Sequence, residues 1–262
     1  MTLVLNEIHL IEGLKRTFLI AAADRRLTRP DGSRYGAHPK LFEIPYLNGA
    51  VSYFGLAEFR RAGKPVRLWD FLPAFVRSHA TLPDLGAFSV ALRDELERAI
   101  PKRTLKEHPL GFHLCGYGRT GLPDFWWLTN VRTIDDAGRI TEWKDTFKAP
   151  GSHFLGRDAP GLFGWDGSDP LSARSGAFML YRNGDIQVHV QAADLLNKMF
   201  DRLLDLPAVK RPRTAAEFKQ YARYKFKFIV GLHKTWLKSS TVGEGPDLLM
   251  WSANDGRVTK VP

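Results

Sequence analysis

Thr17-Phe18-Leu19-Ile20-Ala21-Ala22-Ala23 carries no charge and a single hydroxyl. Such a run fits a strand covered on both faces, so layers must pack above and below it. Residues 2–11, Thr-Leu-Val-Leu-Asn-Glu-Ile-His-Leu-Ile, form a strand pattern with a polar interruption. Glu12-Gly13-Leu14-Lys15 between them supplies a turn around glycine. The two segments predict a hairpin that carries Asp24 back to the level where the first strand begins.

The order of the remaining patterns narrows the fold class. Thr28 to Pro39 is rich in Pro, Gly, Asp and Ser and reads as a loop. Lys40–Ile44 and Ala50–Phe54 form a second predicted hairpin, with Asn48-Gly49 as its turn signal. Leu56–Arg61 reads as helical. Leu68–His79 has Trp69, Leu72, Phe75 and Val76 at helical spacing, and Pro83–Ile100 has Leu85, Phe88, Leu92 and Leu96. Pro101 ends the second of these helices. Strand patterns follow over Gly111–Tyr117, Asp124–Arg132 and Arg139–Phe147, then a Gly/Pro/Ser/Asp-rich stretch over 148–176 and a short strand at Ala177–Tyr181. Ile186–Leu206 reads as helical. Thr214-Ala-Ala-Glu217 is a capping-box pattern opening another helix. Pro246–Ser252 and Arg257–Val261 close the chain as a hairpin across Asn254-Asp255-Gly256. Segregated blocks of strands and helices predict an α+β fold rather than a doubly wound sheet.

The bulk properties exclude more than they assign. With 262 residues and 44% hydrophobic content, the chain can bury a large core, and one domain spanning 1–262 is expected. Cys115 is the lone cysteine, which excludes a disulfide framework and leaves a buried small hydrophobe as its expected role. His79, His108, His113, His153, His189 and His233 show no two-His metal spacing, so neither metal nor cofactor is expected. No basic region followed by an apolar one opens the chain, and no window resembles a membrane span, so a cytoplasmic location is expected. The formal net charge is +10. It permits acidic partners without fixing a function. Lys219, Arg223, Lys227 and Lys234 are expected to form the solvated face of a helix rather than a nucleic-acid surface.

The chemistry concentrates in the first forty residues. If Met1 is removed, Thr2 carries a hydroxyl and a free α-amine on one residue, the two groups that N-terminal-threonine catalysis uses. Ala22-Ala23-Asp24-Arg25-Arg26 and Lys40-Leu41-Phe42-Glu43-Ile44 stand sixteen positions apart from aspartate to lysine. Threonine, strand-end carboxylate and lysine in this order resemble the active-site core of proteasome β-subunits and their bacterial homologues. Ser52-Tyr53-Phe54-Gly55, Gly116-Tyr117 and Thr241-Val-Gly-Glu-Gly-Pro-Asp247 are similar to later family strand ends and turns, in family order.

The resemblance implies an N-terminal-nucleophile hydrolase: a four-layer αββα sandwich, two antiparallel sheets between two helix layers. It implies Thr2 as nucleophile with its α-amine as base, Lys40 as the tuning cation, Asp24 holding Lys40, and the Gly55 amide in an oxyanion hole. It further implies a peptide or protein substrate and a homo-oligomer, to which aromatics on the predicted helices (Trp69, Phe71, Phe75, Phe88, Phe218, Phe226, Phe228) would contribute contacts. Two departures stand out. Twenty-two positions separate Thr2 from Asp24, more than the family pattern; an even extension of both arms keeps the side chains on their faces, and an odd slip does not. The family's supporting serine and second aspartate have no clear match; Ser152, Ser175, Ser239 and Ser240 are the candidates. A catalytically inactive subunit of the same fold and a basic nucleic-acid-binding protein are the rival readings.

Overall fold

The computed structural model describes residues 3–29, 33–136, 139–184, 198–210, 212, 214–236 and 242–262. Thr2, Ser239 and Ser240 lie outside them, as does most of the predicted helix over Ile186–Leu206.

The expected first hairpin forms from β1 (Leu3–Glu12) and β2 (Arg16–Ala23). It runs in register from Val4 opposite Ala23 to Leu10 opposite Thr17, with an irregularity between Leu10 and Glu12 next to the turn. Everything in β2 after Arg16 is buried, as its uncharged composition requires. The strands numbered in chain order continue with β3 (Arg26–Thr28) and β4 (Arg34–Ala37), then β5 (Leu41–Ile44) and β6 (Gly49–Gly55), and β7 (Glu58–Arg61) and β8 (Lys64–Arg67). After the first helices come β9 (Leu110–Gly116), β10 (Asp124–Thr129), β11 (Val131–Ile134), β12 (Ile140–Trp143), β13 (Ala177–Gly184), β14 (Asp247–Asn254) and β15 (Arg257–Lys260). One sheet has the order β13-β1-β2-β14-β15 and another β10-β9-β6-β5. Their strand pairs are antiparallel.

Two expectations fail here. Thr28–Pro39 is not all loop, since β4 lies within it and pairs with β3, which ends at Thr28. Leu56–Arg61 is not helical: β7 pairs with β8. Its residues are good helix formers, but Ala62 and Gly63 both take positive φ, 48° and 78°, and make the two-residue turn that matches the twist of a hairpin. Ala-Gly is a weak signal for that turn, and Phe59 is buried by the packing.

The helices are α1 (Leu68–Ser78), α2 (Leu85–Ala99), α3 (Lys102–Glu107), α4 (Ala159–Phe163), α5 over 198–205 and α6 (Ala215–Trp236). Asp84 caps α2 by accepting from Ala87 N at 2.8 Å. The capping box read at α6 forms in both directions: Glu217 N donates to Thr214 Oγ1 and Thr214 N to Glu217 Oε2.

Alternation along the strands sorts side chains into three cores. Val4, Ile8, Leu10 and Leu19 from the first sheet meet Leu41, Ala50, Phe54 and Cys115 from the second. On the opposite face of the first sheet, Leu3, Leu5, Phe18 and Ile20 pack with Ala222, Phe226 and Ile229 of α6. Val51, Tyr53, Phe112 and Leu114 of the second sheet pack with Leu72, Phe75, Phe88 and Leu92 of α1 and α2.

A buried polar chain crosses between the sheets. Asn183 Nδ2 donates to His113 Nε2 at 2.7 Å, so the neutral ring carries its proton on Nδ1 and gives it to Asn6 Oδ1 at 2.6 Å. Asn6 Nδ2 in turn donates to Cys115 Sγ at 3.2 Å. Burial pushes the His113 imidazole down to about 3, and Cys115 is enclosed, as its apolar setting predicts.

Candidate functional site

Asp24 stands one residue past β2, and Lys40 one residue before β5. Both are fully buried, and Lys40 Nζ donates to Asp24 Oδ1 at 3.0 Å. A solvated edge lysine is thereby excluded. So is a pairing of Asp24 with the Arg25 side chain, because Arg25 Nε and Nη2 grip Asp247 instead.

The carboxylate of Asp24 is saturated. Oδ1 also accepts from Leu3 N at 2.9 Å. Oδ2 accepts from Arg26 N and from Gly243 N, each at 3.1 Å. Asp24 N donates back to Leu3 O at 3.1 Å, so the start of β1 is clamped in both directions. This answers the question of spacing: the register brings Leu3 opposite Asp24 despite the longer hairpin.

Lys40 is held from three sides. Its Nζ also donates to Arg26 O, and its own carbonyl accepts from Tyr53 N of β6 at 3.2 Å. An ammonium has three donors, and Asp24 and Arg26 O take two of them among the described residues. Burial pushes the Asp24 carboxyl above its ordinary value, against the opposing pull of Lys40 and the Leu3 and Gly243 amides. Burial pushes the Lys40 ammonium down, against Asp24 and Glu244.

The turn before β14 closes the site from a third element. Arg25 N and Arg26 N both approach Gly243 O, at 3.3 and 3.1 Å. Next in the chain, Glu244 takes φ +60° and Gly245 φ +45°. Glu244 Oε1 pairs with Arg34 Nε of β4 at 2.5 Å. Gly243, Glu244, Tyr53 and the Arg26 carbonyl are site groups that sequence reasoning missed. The similarity of Thr241–Asp247 to a family turn pointed to this segment, yet nothing local ties residue 243 to residue 24.

The other candidates stand elsewhere. Gly55 lies two residues beyond Tyr53 in β6, with φ +89°. A side chain there would meet Pro109 O at 2.1 Å, which accounts for a glycine on conformational and steric grounds. Ser152 donates to Asp124 Oδ1 and bridges to Trp126 on β10, the edge opposite β5; three strand spacings amount to roughly 14 Å. Ser175 accepts from Gly13 N beyond the far end of β1.

The basic residues of α6 also differ from expectation. Lys219 is not on a solvated face: it is buried and donates to Val261 O at 2.8 Å. Arg223, Lys227 and Lys234 are exposed. Phe75, Phe88 and Phe226 are buried within the chain and offer nothing to a partner copy. Among the described residues, no helix is long and apolar enough to cross a membrane, and no group of three metal-ligating side chains occurs.

No protein-family model matches the chain, and no curated protein matches it. Solved structures similar to it include an Anbu (Gly-1) mutant from Hyphomicrobium sp. strain MC1, at 14% identity and TM-score 0.42, covering 100% of this chain and 88% of that one. Anbu (ancestral beta-subunit) from Yersinia bercovieri aligns at 11% identity and TM-score 0.42 over 100% and 87%. HslV from Trypanosoma brucei aligns at 12% identity and TM-score 0.38 over 95% and 98%. At these scores the likeness decides nothing about chemistry.

Proposed function

We propose that this chain is a proteasome-like N-terminal threonine hydrolase acting on peptide or other amide bonds. The supporting observation is the enclosed Asp24–Lys40 pair, whose carboxylate also holds the Leu3 amide. Leu3 is covalently next to Thr2, so the pair serves the residue that removal of Met1 would expose. The three cores, with α1 and α2 against one sheet and α6 against the other, support reading the fold as a single four-layer αββα domain.

In this mechanism the Thr2 hydroxyl attacks the carbonyl, and its α-amine takes the proton, directly or through water. An α-amine with a pKa of about 7.7–8.0 suits that task near neutral pH. The Lys40 cation favours the neutral amine and stabilises the developing alkoxide, while Asp24 orients Lys40. The Gly55 amide is retained as an oxyanion donor to be tested. No cofactor enters the scheme. The chain works as a cytoplasmic homo-oligomer.

An epoxyketone or β-lactone probe tests the reading. The expected adduct lies on Thr2 after removal of Met1 and disappears in Thr2→Ala. An adduct elsewhere, or full hydrolysis by Thr2→Ala, overturns the assignment. A non-catalytic subunit of the same fold is the second reading. It is favoured by the saturation of Asp24. Retention of Met1 in the cell, together with an unreactive probe, selects it.

A further inference from the structure

β5 ends the order β10-β9-β6-β5, so one of its sides has no neighbouring strand. One bond decides which groups it leaves unpaired. Tyr53 N donates to Lys40 O, in the same register that sets Leu41 opposite Ser52 and Phe42 opposite Val51. Bonded and non-bonded pairs alternate along an antiparallel ladder. Phe42 and Ile44 therefore bond to β6, and Leu41 and Glu43 turn their N–H and C=O groups outward. These two residues stand about 6.8 Å apart, the repeat of any extended chain. Beside this edge an open groove with a volume of about 590 Å³ runs between β5 and α1. Phe42, Tyr46, Pro73 and Val76 make it apolar, and Arg77 and Ala80 are exposed on its wall. Its charges do not cancel. Glu43 is taken by Lys260 of β15 at 2.5 Å, whereas Arg77 makes no ion pair among the described residues.

We propose that the β5 edge and its groove dock an extended segment of a partner protein, added as a fifth strand, with apolar side chains toward α1 and an acidic one for Arg77. Pairing at a free edge supplies affinity through the backbone, and pockets for alternate side chains supply selectivity. Opposed side chains of paired strands share a face. Phe42 packs toward α1 and α2, and Leu41 toward the first sheet. Partner residues opposite Phe42 therefore enter the groove, while those opposite Leu41 and Glu43 give and receive the backbone bonds. Since Lys260 already neutralises Glu43, the uncompensated charge at the groove is the positive one of Arg77, which selects an acidic segment. Lys40 is enclosed at the start of β5, and the groove runs the other way, past Ile44 to Pro45 and Tyr46. The docking site is thus separate from the Asp24–Lys40 pair and does not rest on the hydrolase reading.

The probe is a fluorescein-labelled peptide, Glu-Thr-Val-Thr-Val-Thr-Glu, titrated against the full chain by fluorescence anisotropy. Its period of two puts the valines and glutamates on one face and the threonines on the other. Saturable binding is expected. Arg77→Gln weakens it about threefold, as the loss of one exposed ion pair does, and Ala80→Glu, which brings a negative charge to the same wall, weakens it as well. Both positions are exposed, so both variants are expected to melt with the parent chain. With the valines in the groove, the threonine N–H groups face β5 and the valine N–H groups face away. N-methylation of the threonines therefore abolishes binding, and N-methylation of the valines spares it. Equal behaviour of the two methylated peptides, affinity indifferent to Arg77 and Ala80, or no saturable binding overturns the proposal. Competition by the epoxyketone probe would put the peptide in the catalytic cleft, and dissociation of an assembly of this chain by the peptide would give the edge to a second copy; either result overturns it too. Unaltered binding to a hydrolytically inert Thr2→Ala chain supports docking and leaves the hydrolase reading to its own test.

Discussion

Asp24 and Lys40 are enclosed completely, and neither charge is tolerable without the other. Removing one partner of a buried pair strands the remaining charge and costs about 3–5 kcal/mol. Lys40→Met is therefore expected to lower unfolding free energy by that order, measured by denaturant titration. Asp24→Asn is expected to cost at least as much, because it strands Lys40 and its one amide oxygen can serve either Leu3 N or the Arg26 and Gly243 amides, leaving the NH2 group facing donors. This pair was legible through the family resemblance, whose order and sixteen-position spacing lie in adjacent segments. Gly243 and Glu244 were not, because their contact with residues 24–26 crosses more than two hundred positions and depends on how β14 pairs with β2.

His113 gives a second prediction at this scale, through protonation. Its folded value of about 3 lies below the ordinary 6.5, because burial disfavours the cation and Asn183 occupies Nε2. The unfolded chain takes up the proton first as pH falls. The stability tied to the neutral ring is thus complete above pH 6.5 and is lost between 6.5 and 3, at about 1.4 kcal/mol per pH unit once the unfolded form is protonated. Denaturation midpoints at pH 7, 5 and 4 are expected to fall less steeply for His113→Gln than for the parent chain. Equal slopes would mean that the ring is protonated within the folded state.

Among the elements, legibility followed the strength of local chemistry. The capping box at Thr214 and the turn at Asn254-Asp255-Gly256 carry their own signals, and both form as read; Asp255 and Gly256 take positive φ, 49° and 73°. The β7–β8 hairpin carries no such signal, and the helical reading of Leu56–Arg61 fails on β7. Gly55 lies between these cases: its place at a strand end was legible, but its proximity to Pro109 was not. Gly55→Ala is expected to destabilise the protein by more than about 1 kcal/mol, since the new side chain meets both a positive φ and a backbone oxygen. Melting curves read this without reference to activity. Unchanged stability with lost turnover would separate an oxyanion role from the steric one.

For the whole molecule, the expectation of an oligomer cannot draw on all the aromatics first considered, although Trp69, Phe71, Phe218 and Phe228 stay partly exposed. Phe75, Phe88 and Phe226 are consumed within the chain's own cores. Tyr35, Val90, Leu162, Leu171 and Phe178 are exposed at separate places, whereas Met199, Leu203, Leu206, Val209 and Tyr224 fall on 198–209 and α6. Leu203, Val209 and Tyr224 line a single groove between 198–209 and α6, with Leu206 half exposed within the same segment. Apolar surface collected in this way marks interaction sites more often than scattered residues do. The +10 charge of the chain opposes close approach of two copies at low ionic strength, and salt screens that repulsion. Self-association through this groove should therefore strengthen from low to physiological salt, the opposite of the trend for a nucleic-acid complex, which weakens as counterions are released. Sedimentation at micromolar concentration is expected to show species above 29.6 kDa, reduced by Leu203→Glu combined with Leu206→Glu. A single species of monomer mass at every salt concentration sinks the oligomer. A complex with duplex DNA that persists at physiological salt would instead promote the nucleic-acid reading.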